Sequence, residues 1–410
     1  MKYVDIIIVG SGMSGLYSAY KIKQESPETS FLVLEKYKKS WIGGRTSNEN
    51  FYGTEIVTGA GIGRKNKDKI LYNLLSEFKL NTYEYLENPL KSKLINSVNI
   101  NDILKHLRKE YPRFKDQQLT FKEFATKILG AKEYKKFVLS TGYSDYENED
   151  VYETLYYYGM EDNSCCWKAF NVPWKQLVLK LYHFIGESHF KFSNKVINIT
   201  KIQENPCRFI ITCENNIQYL CNRVIVGSTI DTIRKLIPKP IYNDIEGQPF
   251  LRLYAKFSKD SIPIMKQYVK GFTFLPGPLQ KIIPMNQDNG VYMIAYNDNK
   301  NTIALKNNLQ NNRSNRELYE ILLEKSLGIK NNLLHIIAIK DYYWPIGTHY
   351  YKPLNKEIYK NREQFIYKAQ HPENGMLVVG EAVSRSQGWT LGALESVETV
   401  LDKKWIKNPC

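Results

Sequence analysis

The opening fifteen residues constrain the fold more tightly than any other stretch of this chain. Val4 to Val9 is a short, β-branched apolar run, the pattern of a strand buried on both faces of a parallel sheet. It runs into Gly10-Ser11-Gly12-Met13-Ser14-Gly15, after which Leu16, Ala19, Tyr20 and Ile22 recur at helical spacing. Strand, glycine turn and helix in that order make a grip for a pyrophosphate. Gly10 permits the tight turn, Gly12 lets backbone amides approach a phosphate, and Gly15 lets the helix pack closely on the strand. The helix N-terminus at Met13 and Ser14 adds unpaired N–H groups and the positive end of a dipole. Phe31 to Leu34 predicts a second strand, which delivers Glu35 where an acid accepts ribose hydroxyls. An acid there repels a 2′-phosphate, so NADP is disfavoured. NAD and FAD both stay open on these residues.

Three later segments narrow the choice. Gly43-Gly44-Arg45 follows Glu35 and Lys36, and Gly59-Ala60-Gly61-Ile62 makes a turn of small residues. At the far end, Met376–Val379 predicts a strand ending in Gly380-Glu381, and Gly388-Trp389-Thr390-Leu391-Gly392-Ala393 opens a helix. In this order the segments resemble those of the flavin-containing amine oxidase family, which includes monoamine, polyamine and L-amino-acid oxidases, with protoporphyrinogen oxidase as a relative. The resemblance implies an α/β fold: a Rossmann-type, glutathione-reductase-like FAD-binding domain with an interleaved α+β substrate domain. It also implies FAD as a noncovalent cofactor. Arg45 would bridge the FAD phosphates, a role suited to a planar fork of donors. Ala60, Gly61 and Ile62 would pass the flavin, and Val196 would meet the adenine. Gly380 and Glu381 would contact the ribityl chain. The turn from Trp389 through Thr390 to Ala393 would lie against the isoalloxazine, where a helix N-terminus favours negative charge at N1–C2=O.

The same resemblance places the chemistry. Trp389 and Tyr350 fall where two aromatic rings would cage a small-molecule amine, each π-face worth about 0.5–2 kcal/mol to a cation. Phe250 to Phe257 resembles the strand that carries the family's flavin-facing lysine, and Arg252 stands in that place. Arginine keeps the charge but cannot deprotonate, which puts efficient reaction with oxygen in doubt. Lys256 shares its strand face and reads as solvated. His349 occupies the position of the cysteine that binds FAD covalently in monoamine oxidases. A lone histidine is more often buried or hydrogen-bonded than linked to a cofactor. The implied reaction is hydride transfer from an amine, a polyamine or an amino acid, to flavin N5, with O2 as acceptor. No carboxylate-binding arginine for amino acids is identifiable in the helical part of the chain. Two alternatives fit the Arg252 departure: a catalytically weak or inactive FAD-bound structural or interaction protein, and a protoporphyrinogen-oxidase-like dehydrogenase or desaturase.

At 410 residues the chain has room for two domains. Residues 1–75, 186–235 and 341–410 read as the FAD-binding domain, and 76–185 with 236–340 as the substrate domain. Lys69 to Ala169 has amphipathic helical spacing in ILYNLLSEF, INDILKHLRKEY, FKEFATKIL and EYKKFVLS, and Trp174 to Ile185 is another such helix. From Val196 an antiparallel meander is predicted, returning to the main sheet at Val224 to Gly227. FLRLYAKFS, GFTFLPG and GVYMIAYND read as strands, and ELYEILLEKSLGI as a helix. The net charge of +15 comes from scattered lysines with no basic block, the pattern of a solvated surface rather than a specific nucleic-acid site. Six cysteines without metal spacing predict no metal and reduced thiols in a cytoplasmic or other reducing intracellular compartment. Met1 leads straight into the first strand, so no signal peptide is expected, and no apolar run is long enough for a transmembrane anchor. Abundant Asn, Lys, Ile and Tyr suggest an AT-rich coding genome, compatible with a parasite or a large DNA virus, in which case a virion location is open. Oligomeric state stays open as well.

Overall fold

A computed structural model describes residues 2–163 and 166–407. Its main sheet gathers strands from the beginning, middle and end of the chain. The strand β1 (Lys2–Val9) lies between β2 (Phe31–Leu34) and the strand Gln218–Val226, parallel to both. Strand Met376–Val378 pairs in parallel with the C-terminal half of Gln218–Val226. The N-terminal half of that same strand pairs antiparallel with Cys207–Cys213, which pairs with Val196–Glu204. The predicted meander and its return to the main sheet are thus both present. Ile6, Ile7 and Ile8 are fully buried because helices cover both faces. Helix α1 (Met13–Glu25) packs on one face with helices Trp174–Ile185 and Thr390–Val400, around Leu16, Leu177 and Leu394. The other face is closed by Ile230, Ile233 and Phe365.

A second sheet has the order Ile336–Tyr351, Ile245–Phe257, Val291–Asp298, Lys281–Asn286, Thr273–Phe274 and Leu90–Lys91. Period-two alternation in its longest inner strand divides the side chains by face. Leu251, Leu253, Ala255 and Phe257 pack against Met265, Tyr319 and Leu323 of the covering helices. Tyr254 turns the other way, with Phe51 and Ile56 from the N-terminal part of the chain. Arg252 follows that alternation, and its Nε donates to the Gly59 carbonyl (2.7 Å) while the Tyr254 hydroxyl donates to Val57 O (2.6 Å). This face of the second sheet is therefore pressed against the 57–61 turn. A helical insert, from Ile100–Glu110 to Val151–Tyr156, has its own core of Leu104, Leu107, Phe121, Phe124 and Phe137.

Several elements differ from expectation. The region from Lys69 to Ala169 is interrupted by strands Glu84–Glu87, Leu90–Lys91 and Trp167–Phe170. FKEFATKIL and EYKKFVLS run into one helix, Phe121–Thr141, bent where Gly130 takes φ 77°, ψ 156°. GFTFLPG contributes only Thr273–Phe274. Strands Lys281–Asn286 and Ile336–Tyr351 have no counterpart in the sequence reading, and each contains a proline. Pro345 is tolerated because Ile336–Tyr351 is the edge of its sheet, where a missing N–H costs no ladder bond. Pro284 lies beyond the two residues of its strand that pair with Thr273–Phe274. The 340/341 junction falls inside the edge strand. Cys213 and Cys221 are free thiols. Cys207 is disulfide-bonded, so the all-thiol expectation fails there; a disulfide needs only Cβ atoms brought within about 4 Å by the fold, whatever the sequence spacing. Cys165 and Cys410 lie outside the described residues. Among the described residues no helix is long and apolar enough to cross a membrane, and no side-chain cluster could hold a metal.

Candidate dinucleotide and reaction site

The N-terminal turn has the geometry its glycines require. Gly10 adopts φ +101°, and a Cβ there would stand 2.4 Å from Gly227 O. A Cβ on Gly15 would stand 2.0 Å from Gly10 O, so helix and strand approach as closely as backbone allows. Gly12 is different: nothing lies within 4 Å of where its Cβ would be. It is the N-cap of α1 and offers no side-chain cap, so no capping side chain takes up the first amides of the helix. Glu35 is buried at the end of β2, accepting from Ser11 N and Ser11 Oγ (2.8 Å each) on one oxygen and from Tyr37 N (2.9 Å) on the other. The oxygen that accepts from Tyr37 N keeps a second lone pair for a hydroxyl. Gly43, at φ +91°, donates to Ser11 O (2.9 Å), which ties the GGR segment to the turn, and Gly44 follows at φ +60°. An uncapped helix start, a cradle held open by Gly12 and a fixed acid fit a dinucleotide. Met13 and Ser14 are buried in the first turn of α1, Lys36 is exposed beside the Tyr37 ring, and Val196 is buried at the start of its strand.

A second cluster comes from the other end of the chain. Gly380 takes φ +128° and donates to Ser396 Oγ (2.7 Å), which anchors the turn to helix Thr390–Val400. Glu381 collects donors: His349 N (2.8 Å), His349 Nδ1 (2.5 Å) and Gly388 N (3.3 Å), with an Arg45 guanidinium nitrogen at 3.8 Å. Burial alone would raise its pKa, but these donors, His349 first and then Arg45, pull it down to about 2. His349 Nε2 accepts from Ile230 N–H (3.1 Å), so the ring proton sits on Nδ1 and is given to Glu381. With both nitrogens engaged and 3% exposure, His349 is a buried positioning residue for Glu381. Arg45 also donates to Gly347 O and so links the two clusters.

Between them runs the 58–62 turn, which contains Ala60, Gly61 and Ile62. Its carbonyls are held by indoles: Trp344 Nε1 donates to Thr58 O and Trp174 Nε1 to Gly61 O, each at 2.8 Å. Ala60 N donates to Arg45 O (2.8 Å). Trp389 stands as N-cap of its helix, ahead of Thr390 and the half-buried Ala393, with the Arg64 guanidinium 3.8 Å above its ring. Arg64 is itself tied to Asp68 (2.9 Å). Tyr350 lies opposite Glu246 on the neighbouring strand, and burial raises its pKa.

Sequence reasoning found Arg252 but missed what surrounds it. Across three adjacent strands, Arg252 lies 4.4 Å and Lys281 4.3 Å from the Tyr296 ring. Lys281 is fully buried, donates to Gly142 O (2.8 Å), lies 3.3 Å from the Tyr143 ring centroid and pairs with Asp298 (3.7 Å). Burial lowers the Lys281 pKa and raises that of Asp145, whose carboxylate accepts from Tyr158 (2.5 Å). The signal was faint: a single lysine opening an apolar run that also contains Pro284 gives no sign of burial.

Comparison with known proteins bears on the fold. Residues 8–78 match the NAD(P)-binding Rossmann-like domain family. Of curated proteins, an uncharacterized protein of Acanthamoeba polyphaga mimivirus is 43% identical over 58 residues. That match spans 14% of this chain and only 11% of that protein's length. Among solved structures, a redesigned double mutant of putrescine oxidase superposes with a TM-score of 0.74 at 14% identity, over 97% of this chain and 98% of the other. The wild-type enzyme bound to putrescine gives 0.73 at 12% identity with the same coverage. The likeness to the flavin-containing amine oxidases read from the sequence thus holds at the level of the fold, through nearly the whole chain. The protein has the fold of putrescine oxidase, built on a Rossmann-like dinucleotide-binding domain.

Proposed function

We propose that the protein is an FAD-dependent oxidoreductase of the amine-oxidase type, acting on a small-molecule amine. The observation that carries this reading is the convergence of both chain ends on one site: the open Gly12 cradle with Glu35, and the Glu381 cluster, joined through Arg45. FAD, when bound, would accept the hydride from the carbon bearing the amine and pass the electron pair to an acceptor such as O2. The chain's own part is to bind, orient and exclude water. The α1 amides and Arg45 would hold the phosphates, Glu35 the adenosine ribose, and Glu381 the ribityl hydroxyls. His349 keeps Glu381 ionised and aimed, and both its ring nitrogens are occupied, which supports noncovalent binding. The two indole bonds to the 58–62 turn would fix the wall that the flavin passes.

A second reading, an FAD-carrying protein without oxidase turnover, draws support from the Arg64 guanidinium lying over Trp389, where a substrate ammonium would otherwise stack. One experiment separates the two. The purified protein should be yellow and should release FAD on acid precipitation. Mixed anaerobically with a panel of amines, polyamines and amino acids, it should bleach near 450 nm with at least one of them. Bleaching by dithionite but by no amine would leave the second reading standing, and a colourless protein that cannot be reconstituted would remove both.

A further inference from the structure

Taking a charge out of water is costly unless an opposite charge answers it. The other cations buried near the site are answered. Arg64 pairs with Asp68 (2.9 Å), Arg362 with Asp150 (3.3 Å) and Lys281 with Asp298 (3.7 Å). Arg252 differs. It is 4% exposed, and no carboxylate among the described residues pairs with it. Its Nε is spent on Gly59 O, one Nη faces Met293 Sδ at 3.4 Å, and the rings of Tyr296 and Phe250 lie 4.4 and 5.2 Å away. A carbonyl, a thioether and two π-faces do not neutralise a guanidinium. The other Nη stands where a Cβ on Gly61 would come within 2.9 Å of it, so the charge sits at the seam between the second sheet and the 58–62 turn. Lys281 shares the Tyr296 ring, but Asp298 and Asp145 balance it.

We infer that Arg252 receives the carboxylate of the substrate, which would make the substrate class an amino acid, an amine with a carboxylate beside it, rather than a diamine. The inference rests on the function proposed above and narrows it. The chemistry is complementary: the guanidinium fork matches a carboxylate with two parallel N–H···O bonds, and the ion pair forms in a site that excludes water. A diamine would instead bring a second ammonium toward the unanswered charge of Arg252.

The test uses matched ligands differing by one carboxylate: L-ornithine with putrescine, L-leucine with isopentylamine, and L-phenylalanine with phenethylamine. Binding to the FAD-loaded protein is measured by calorimetry, and flavin bleaching is followed separately without oxygen. In at least one pair the amino acid should bind tenfold or more tighter than its amine. Arg252→Met should erase that preference, and Arg252→Lys should restore part of it. FAD content and melting temperature are checked for each variant, so a misfolded protein is not mistaken for a lost contact. The inference is overturned if amines bind as well as their amino acids, or if no member of any pair binds. It is also overturned if Arg252→Met weakens both members equally, which would assign the guanidinium to the cofactor. Carboxylate-dependent binding without bleaching would uphold the inference and sink the oxidase reading.

Discussion

The two walls of the site are built from different materials. The dinucleotide wall is made of backbone: a glycine turn, the open end of α1, and one acid whose oxygens are held by neighbouring amides. The wall proposed to face the substrate is made of side chains on separate strands, with Arg252, Tyr296 and Lys281 meeting across Ile245–Phe257, Val291–Asp298 and Lys281–Asn286. Backbone constraints act locally in the chain, so one short segment can specify them. A side-chain cluster exists only after strands distant in sequence have paired. The first wall should therefore break through single glycines and the second only through charge.

The sharpest contrast lies within the first wall. Gly15→Ala puts a Cβ 2.0 Å from a backbone oxygen that has no side chain to swing aside, and the loss of stability should be about 3 kcal/mol or more. Gly12→Val adds bulk where the protein has open space. Its melting temperature should stay within a few degrees of wild type while FAD retention is lost. Thermal melts of the apo-proteins and the ratio of flavin to protein absorbance measure both. A Gly12→Val protein that stays loaded would show that the cradle is not the cofactor's.

Glu381 gives the next largest effect and has a pH signature. Its folded pKa of about 2 is below the ordinary value of 4.5, so the stability it supplies is present above pH 4.5 and is lost as pH falls toward 2. The full span is roughly 3 kcal/mol at 1.36 kcal/mol per pH unit. Glu381→Gln keeps the side-chain size, turns one accepting oxygen into a donating amide, and should flatten that part of the acid limb. Urea melts at pH 6 and pH 3 on both proteins measure the difference, and identical limbs would mean that His349 and Arg45 do not hold the charge.

This contrast also explains what was legible in the sequence. Glu35 and Gly380 could be placed because each sits within a few residues of a strand end that apolar patterning marks. The meander and helix Trp174–Ile185 were legible for the same reason. The edge strand Ile336–Tyr351 was hidden because Pro345 and Gly347 read as loop, and only its place at the sheet edge makes them tolerable. Lys281 and Asp298 carry no local mark of burial at all. The register that sets Tyr350 opposite Glu246 carries no local mark either, because it exists only once two distant strands have paired.

On the dinucleotide wall, Glu35 should contribute less than the glycines. Its bonds to Ser11 and Tyr37 support the turn, so Glu35→Ala removes both a ribose acceptor and a brace. FAD retention should weaken by about 1.5–3 kcal/mol, the range for hydrogen bonds to a charged group. Equilibrium dialysis of FAD against the apo-protein reads it. Unchanged affinity would confine Glu35 to bracing Ser11.

The smallest effect should come where the two walls meet. Trp389 opens helix Thr390–Val400 and is covered on one face by Arg64, so its ring is already held by the protein before any ligand arrives. If its remaining edge positions an amine against the flavin, Trp389→Ala should slow anaerobic flavin bleaching about tenfold, equivalent to about 1.4 kcal/mol of lost positioning. FAD should stay bound, because the Gly12 cradle and the Glu381 cluster are built without this ring. The pH dependence should survive too: bleaching should rise with pH toward the amine's own pKa, since hydride leaves readily only when the nitrogen lone pair is free to form the imine. Stopped-flow traces across pH separate these cases. A tenfold loss with an unchanged pH profile makes Trp389 a positioning wall. An unchanged rate makes the Arg64–Trp389 stack a structural contact and leaves substrate selection to the charged face around Arg252.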